Sequence, residues 1–106
     1  KFKPESPEGM DLTPEILNSK KAILIFSYKP QEADQEILAK TEAKANTQKD
    51  ALVLGISTNP TTFKTIQNAV MDGTAIKTIA RSNPFVLILQ SGKIVDKIPA
   101  KDYLKE

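Results

Sequence analysis

Asn83-Pro84-Phe85-Val86-Leu87-Ile88-Leu89-Gln90-Ser91-Gly92-Lys93-Ile94-Val95-Asp96-Lys97-Ile98-Pro99 is the stretch that decides how this chain folds. The run from Phe85 to Leu89 is continuously apolar, as a strand covered on both faces is. Ser91-Gly92 is a turn signal, and the residues after it return as a second strand, so the two pair as an antiparallel hairpin. Strict alternation sets Ile94, Asp96 and Ile98 on one face, which requires either that Asp96 lie at an edge or that the strand be short. Pro84 stands at the strand entrance, where the missing amide hydrogen is tolerated, and Pro99 ends the hairpin.

Two earlier apolar runs, Ala22-Ile23-Leu24-Ile25-Phe26 and Ala51-Leu52-Val53-Leu54-Gly55-Ile56, also lack alternation and read as interior strands of a parallel sheet. Between them residues 31–48 are rich in Glu, Ala, Lys, Leu and Gln with no internal proline or glycine. That segment is expected to be a helix with Ile37, Leu38, Thr41 and Ala45 on its buried face. Strand, helix and strand make a βαβ unit with a right-handed crossover. Asn59-Pro60 is a cap-then-proline signal, and Phe63, Ile66 and Val70 predict a further helix that stops near Asp72-Gly73. Residues 74–83 are expected to be irregular. Upstream, Thr13 as N-cap, Pro14 and Glu15 predict a short leading helix, and residues 100–106 a closing one with Tyr103 and Leu104. Residues 1–10 carry two prolines, a glycine and four charges, and read as a linker-like segment.

Expectation is therefore one α/β domain over residues 11–106, with strands at 22–27, 51–57, 85–90 and 93–98. The 106 residues suit one core rather than two. A composition of 40% hydrophobic and 26% charged residues is too apolar for a disordered tail. No apolar run approaches the length of a membrane span or of a signal-peptide core. With no Cys and no His, thiolate chemistry, Ser-His triads and His- or Cys-ligated metal sites have no residues to use. A net charge of +2 without aromatic residues among the lysines does not suggest a nucleic-acid partner.

The order of elements, with a proline directly before the third strand, is that of the thioredoxin-like fold (β-α-β-α-β-β-α on a four-stranded mixed sheet, after a short N-terminal helix). Residues 76–95 resemble the thioredoxin segment that runs through a cis-proline into a strand, a glycine turn and the next strand, with Pro84 matching that proline. More narrowly, Lys77-Thr78-Ile79-Ala80-Arg81-Ser82-Asn83-Pro84 and the Ser-Gly-Lys-Ile-Val hairpin after it resemble the soluble thioredoxin-like domain of bacterial DoxX-type membrane proteins. The entry Asp11-Leu12-Thr13-Pro14-Glu15-Ile16-Leu17 fits that domain too. The chain departs from it at Phe85, where a glycine is expected, and at Ile98, where a tryptophan is. It departs from thioredoxins in the loop Lys29-Pro30-Gln31-Glu32-Ala33-Asp34, which holds no dithiol, so the fold's redox chemistry does not carry over.

The resemblance implies a cis Asn83-Pro84 bond and a non-enzymatic interaction module. Its parent protein would be anchored by a membrane domain preceding it in the same polypeptide, with the side of the membrane left open. The candidate partner-binding groove is Tyr28, Lys29, Pro30, Arg81, Asn83 and Pro84, at the carboxyl end of the first strand where α/β folds place ligands. A protein or peptide is the expected partner, with no cofactor, metal or nucleic acid. Arg81 either anchors an anion or pairs with a carboxylate such as Asp72. Glu32, Asp34, Glu36 and Glu42 are read as helix-start charges rather than as a metal or acid-base set. The alternative function is a glutathione-binding or transferase-like enzyme using the hydroxyl of Ser27 or Tyr28, which would need a base that the sequence does not supply. A third is oligomerisation through an edge strand at 94–98.

Overall fold

Around its central apolar run the chain lays down, in order, α1 (Thr13–Asn18), β1 (Lys21–Ser27), α2 (Gln35–Asn46), β2 (Leu52–Ser57), β3 (Gln67–Val70), α3 (Gly73–Ile79), β4 (Phe85–Gln90), β5 (Lys93–Pro99) and α4 (Ala100–Tyr103), with a 3₁₀ turn at Pro30–Glu32 ahead of α2. This computed structural model describes residues 3–80 and 82–105. The sheet order is β3-β2-β1-β4-β5. β1 pairs in parallel with β2, and β2 with β3, while β4 runs antiparallel to both β1 and β5.

β1 is buried from Ala22 to Ser27 because helices cover both faces of the sheet. Its side chains alternate between two cores. Leu24 and Phe26 face Leu12, Ile16, Ile76 and Leu87, the side of α1 and α3. Ile23 and Ile25 face Leu38, Phe63, Val86 and Tyr103, the side of α2 and α4.

The four expected strands are present, and β3 is a fifth, in place of the helix expected to begin at Asn59-Pro60. In the preceding loop side chains take the backbone groups that a helix would have paired. Asn59 Oδ1 accepts from the N–H of Thr61 at 2.8 Å. The Asn68 amide takes both the N–H and the C=O of Phe63, at 2.9 and 2.8 Å. Glu42 accepts the N–H groups of Lys64 and Thr65 at 3.0 and 2.9 Å. Local side-chain bonds of this kind compete with helix formation, and the threonines of the segment add little helix propensity. The helix comes one element later, as α3, inside the segment expected to be irregular. There Asp72 caps it by accepting from Thr74 and Ala75, and Ile76 is fully buried.

The leading helix also differs at its cap. Its N-cap is Leu12, held by its N–H to Pro4 C=O at 2.8 Å, and the carboxylate of Asp11 takes the N–H of Thr13 at 2.9 Å. The segment before α1 lies along β3: Glu5 and Val70 exchange backbone hydrogen bonds of 3.0 and 2.7 Å, and Pro4 is buried.

Ser91 at φ 50° and Gly92 at φ 81° make the primed turn that a two-residue hairpin requires. A Cβ at Gly92 would also stand 3.0 Å from the Leu17 carbonyl oxygen. In β5, Ile94 pairs with Leu89 and Asp96 with Ile88, which leaves Val95 as a bulge. Antiparallel partners share a face, so Ile94 turns to the α1 and α3 side while Asp96 and Ile98 stay on the other. The single face expected for all three is broken by that extra residue.

Candidate functional site

β1 ends at Ser27, whose side chain is fully buried. Its hydroxyl donates to Asn83 Oδ1 at 2.6 Å, and Asn83 Nδ2 donates to the carbonyl of Lys29 at 2.8 Å. One amide thus ties the strand end and the loop after it to the segment entering β4. The Asn83-Pro84 peptide bond is cis. Pro84 is buried, and its carbonyl accepts from the Ala100 N–H at 3.1 Å and the Ser82 hydroxyl at 3.3 Å. Among the described residues no backbone group bonds to the N–H or C=O of Asn83 itself.

Of the six expected groove residues this amide joins Lys29 to Asn83, with Tyr28 and Pro30 flanking Lys29 and Pro84 following Asn83 in the chain. Tyr28 is half-buried, packed on the core beneath α1 and α3, with Lys77 Nζ 6.0 Å from its ring centroid. Lys29 is exposed, and its Nζ lies 3.8 Å from the Glu32 carboxylate. Pro30 opens the 3₁₀ turn, which closes through the Ala33 N–H on the Pro30 carbonyl at 3.3 Å. Arg81, and with it the question of an anion or an Asp72 partner, lies outside the described residues.

The acidic residues of this region are occupied in holding the fold. Glu32 faces Lys29, Asp34 caps α2, and Glu36 pairs with Lys40 at 2.9 Å. Glu42 is nearly buried and receives the Thr65 hydroxyl at 2.8 Å as well as the two backbone donors. No group of three or more potential metal ligands forms among the described residues. Ser27 has an amide oxygen, not a base, on its hydroxyl, and its side chain is fully buried. The bridge through Asn83 escaped sequence reading because its partners lie 56 and 54 positions away. A polar residue ending a fully apolar strand is the only local sign of it.

No protein-family model matches this sequence, and no curated protein matches it. Solved structures do. MTB dsbF superposes with a TM-score of 0.69 at 15% identity, over 98% of this chain and 90% of that one. The fold is thioredoxin-like. A thioredoxin-like protein from Aeropyrum pernix gives a TM-score of 0.67 at 11% identity, over 98% of this chain and 87% of its own. The exposed lipoprotein thioredoxin Etrx1 of Streptococcus pneumoniae gives 0.65 at 20% identity, over 98% and 97%. At these identities the likeness is one of fold. The thioredoxin-like fold of this chain has no cysteine, so dithiol exchange has no attacking thiolate here.

Proposed function

We propose that this thioredoxin-like domain is a non-catalytic interaction module, the soluble part of a bacterial membrane-anchored DoxX-type protein, and that an extended peptide of a protein partner docks between the 28–34 loop and Asn83-Pro84. The observation that carries this reading is the backbone of Asn83. Its side chain is spent on Ser27 and Lys29, while its own N–H and C=O have no backbone partner among the described residues. An added strand would supply one, as in recognition by strand addition. The half-buried Tyr28 ring offers apolar area beside it, and Pro30 stiffens the facing loop, which lowers the entropy lost on binding. The DoxX-type attachment rests on the phrase at residues 77–84.

The test is chemical cross-linking of the full-length protein, followed by affinity measurement for the captured partner. Tyr28→Ala should weaken binding, and the exposed control Lys105→Ala should not. Equal effects would move the docking surface elsewhere on the domain. Recovery of the full-length protein in the soluble fraction would end the membrane-anchored reading, and saturable glutathione binding by calorimetry would favour the enzyme alternative.

A further inference from the structure

Tyr28 is the first residue after β1, and its neighbours on both sides, Ser27 and Lys29, bond to the side chain of Asn83. Its ring packs against the core on the α1 and α3 side and stays half open to solvent. From the last turn of α3, Lys77 brings its Nζ to 6.0 Å from the centroid of that ring. This separation is at the outer limit of a cation–π contact, so the ring claims little of the charge.

Lys77 has no ion-pair partner among the described residues. The carboxylates of the neighbouring segments are engaged elsewhere. Glu32 faces Lys29 at 3.8 Å, Asp34 accepts the N–H groups of Glu36 and Ile37 at the start of α2, and Asp72 accepts those of Thr74 and Ala75 at the start of α3. Residues 73–84, which carry the chain from the start of α3 to the entrance of β4, contain Lys77 and Arg81 and no acidic residue. The Tyr28 ring therefore has an uncompensated positive charge beside it.

Given the docking of an extended peptide beside Asn83, on which this step rests, we propose that the docked peptide is acidic and that one of its Asp or Glu side chains pairs with Lys77 over the Tyr28 ring. The ring takes the aliphatic stem of that side chain, and the ammonium takes its carboxylate. A basic side chain at the same place would meet Lys77 with like charge, which is how a charged rim excludes a wrong partner. An added strand turns every second side chain to one side, so the acid is selected at one position or at alternate positions of the peptide rather than throughout. An exposed ion pair adds little affinity, so Lys77 acts on the choice of partner more than on the strength of binding.

The test is a library of short random peptides, held at both ends in a displayed loop and selected in parallel on the parent chain, Lys77→Gln, Lys77→Glu and the control Lys101→Gln. Lys77 and Lys101 are both exposed, so none of these substitutions disturbs the core. Peptides retained by the parent and by Lys101→Gln should be enriched in Asp and Glu over the unselected library. The enrichment should vanish in Lys77→Gln and turn to Lys and Arg in Lys77→Glu. A retained peptide remade with its acid as the amide should lose about two- to fivefold in affinity for the parent, the range of an exposed ion pair, and should lose nothing on Lys77→Gln. Amide NMR shifts on adding a retained peptide are expected at Tyr28, Lys29 and Lys77. Retained peptides without an acidic excess, or with an excess that survives in Lys77→Gln, overturn the acid specificity and leave the docking standing. Retention of no peptide, or shifts confined to residues away from Tyr28 and Lys29, ends the docking and the acid specificity with it.

Discussion

The hydroxyl of Ser27 donates to Oδ1 of Asn83 across 2.6 Å, joining the end of β1 to the entrance of β4. Ser27 is fully buried, so no solvent replaces that acceptor if it is lost. The same amide holds the Lys29 carbonyl. The start of the 28–34 loop is therefore held by a side chain distant in sequence, while the Gln35 amide takes the carbonyls of Pro30 and Ala33 further along.

Asn83→Ala is expected to cost about 1–3 kcal/mol of stability, the range for leaving buried polar groups unpaired. Ser27→Ala removes one bond and its own buried hydroxyl together, and should cost less. Urea denaturation of the two variants checks the order. Equal losses, or none in Asn83→Ala, would show that the bridge does not hold the loop.

Glu42 does for the loop before β3 what Asn83 does for the loop after β1. One carboxylate oxygen receives the Lys64 N–H, the Thr65 N–H and the Thr65 hydroxyl. Glu42→Ala should cost about 1–3 kcal/mol and speed hydrogen exchange at the Lys64 and Thr65 amides. Glu42→Gln keeps a carbonyl oxygen in place and should retain most of the protection. If Gln behaves as Ala does, the charge rather than the acceptor geometry holds the loop.

The interior strands were legible because burial on both faces leaves an unbroken apolar run, and the hairpin because Ser91-Gly92 supplies the positive φ angles its turn needs. Residues 59–70 misled for a physical reason. Phe63, Ile66 and Val70 do fall at helical spacing, yet Phe63 is held by the Asn68 amide and Val70 by strand bonds to Glu5. Partners reached only after folding outweigh local periodicity there. The proline before β4 was legible at the strand entrance. The Asn83 bridge beside it was not, since pairing between Ser27 and Asn83 exists only once β1 and β4 are neighbours.

The Asp11 carboxylate is held below the usual range, first by the backbone N–H that Thr13 donates to it, with the charge of Lys3 adding to the effect. A carboxylate whose folded value is depressed contributes stability that is fully present above its unfolded value of about 3.9 and is lost as pH falls through the folded value. Asp11→Asn keeps an acceptor for the Thr13 N–H but has no charge. The melting temperature of the parent should therefore exceed that of Asp11→Asn near neutral pH, and the two should converge on acidification below the ordinary carboxylate range. A gap that widens in acid would contradict the sign of the shift.

Gly55 interrupts the apolar run of β2 because the Phe63 ring occupies the space of its side chain. A Cβ there would stand 2.2 Å from Phe63 Cδ2. The ring has little freedom to retreat, since Asn68 fixes the backbone N–H and C=O of Phe63. Gly55→Ala is expected to cost about 1–3 kcal/mol through overpacking, and Phe63→Ala about 3–5 kcal/mol through the lost aromatic ring. In the double variant the new methyl enters space the ring has left, so the strain of the first substitution disappears and part of the void of the second is filled. The double variant should accordingly be more stable than the sum of the single losses by about 0.5–3 kcal/mol, the coupling expected of residues in contact. Strict additivity in a denaturation cycle would mean that the Phe63 ring does not lie against Gly55 in solution.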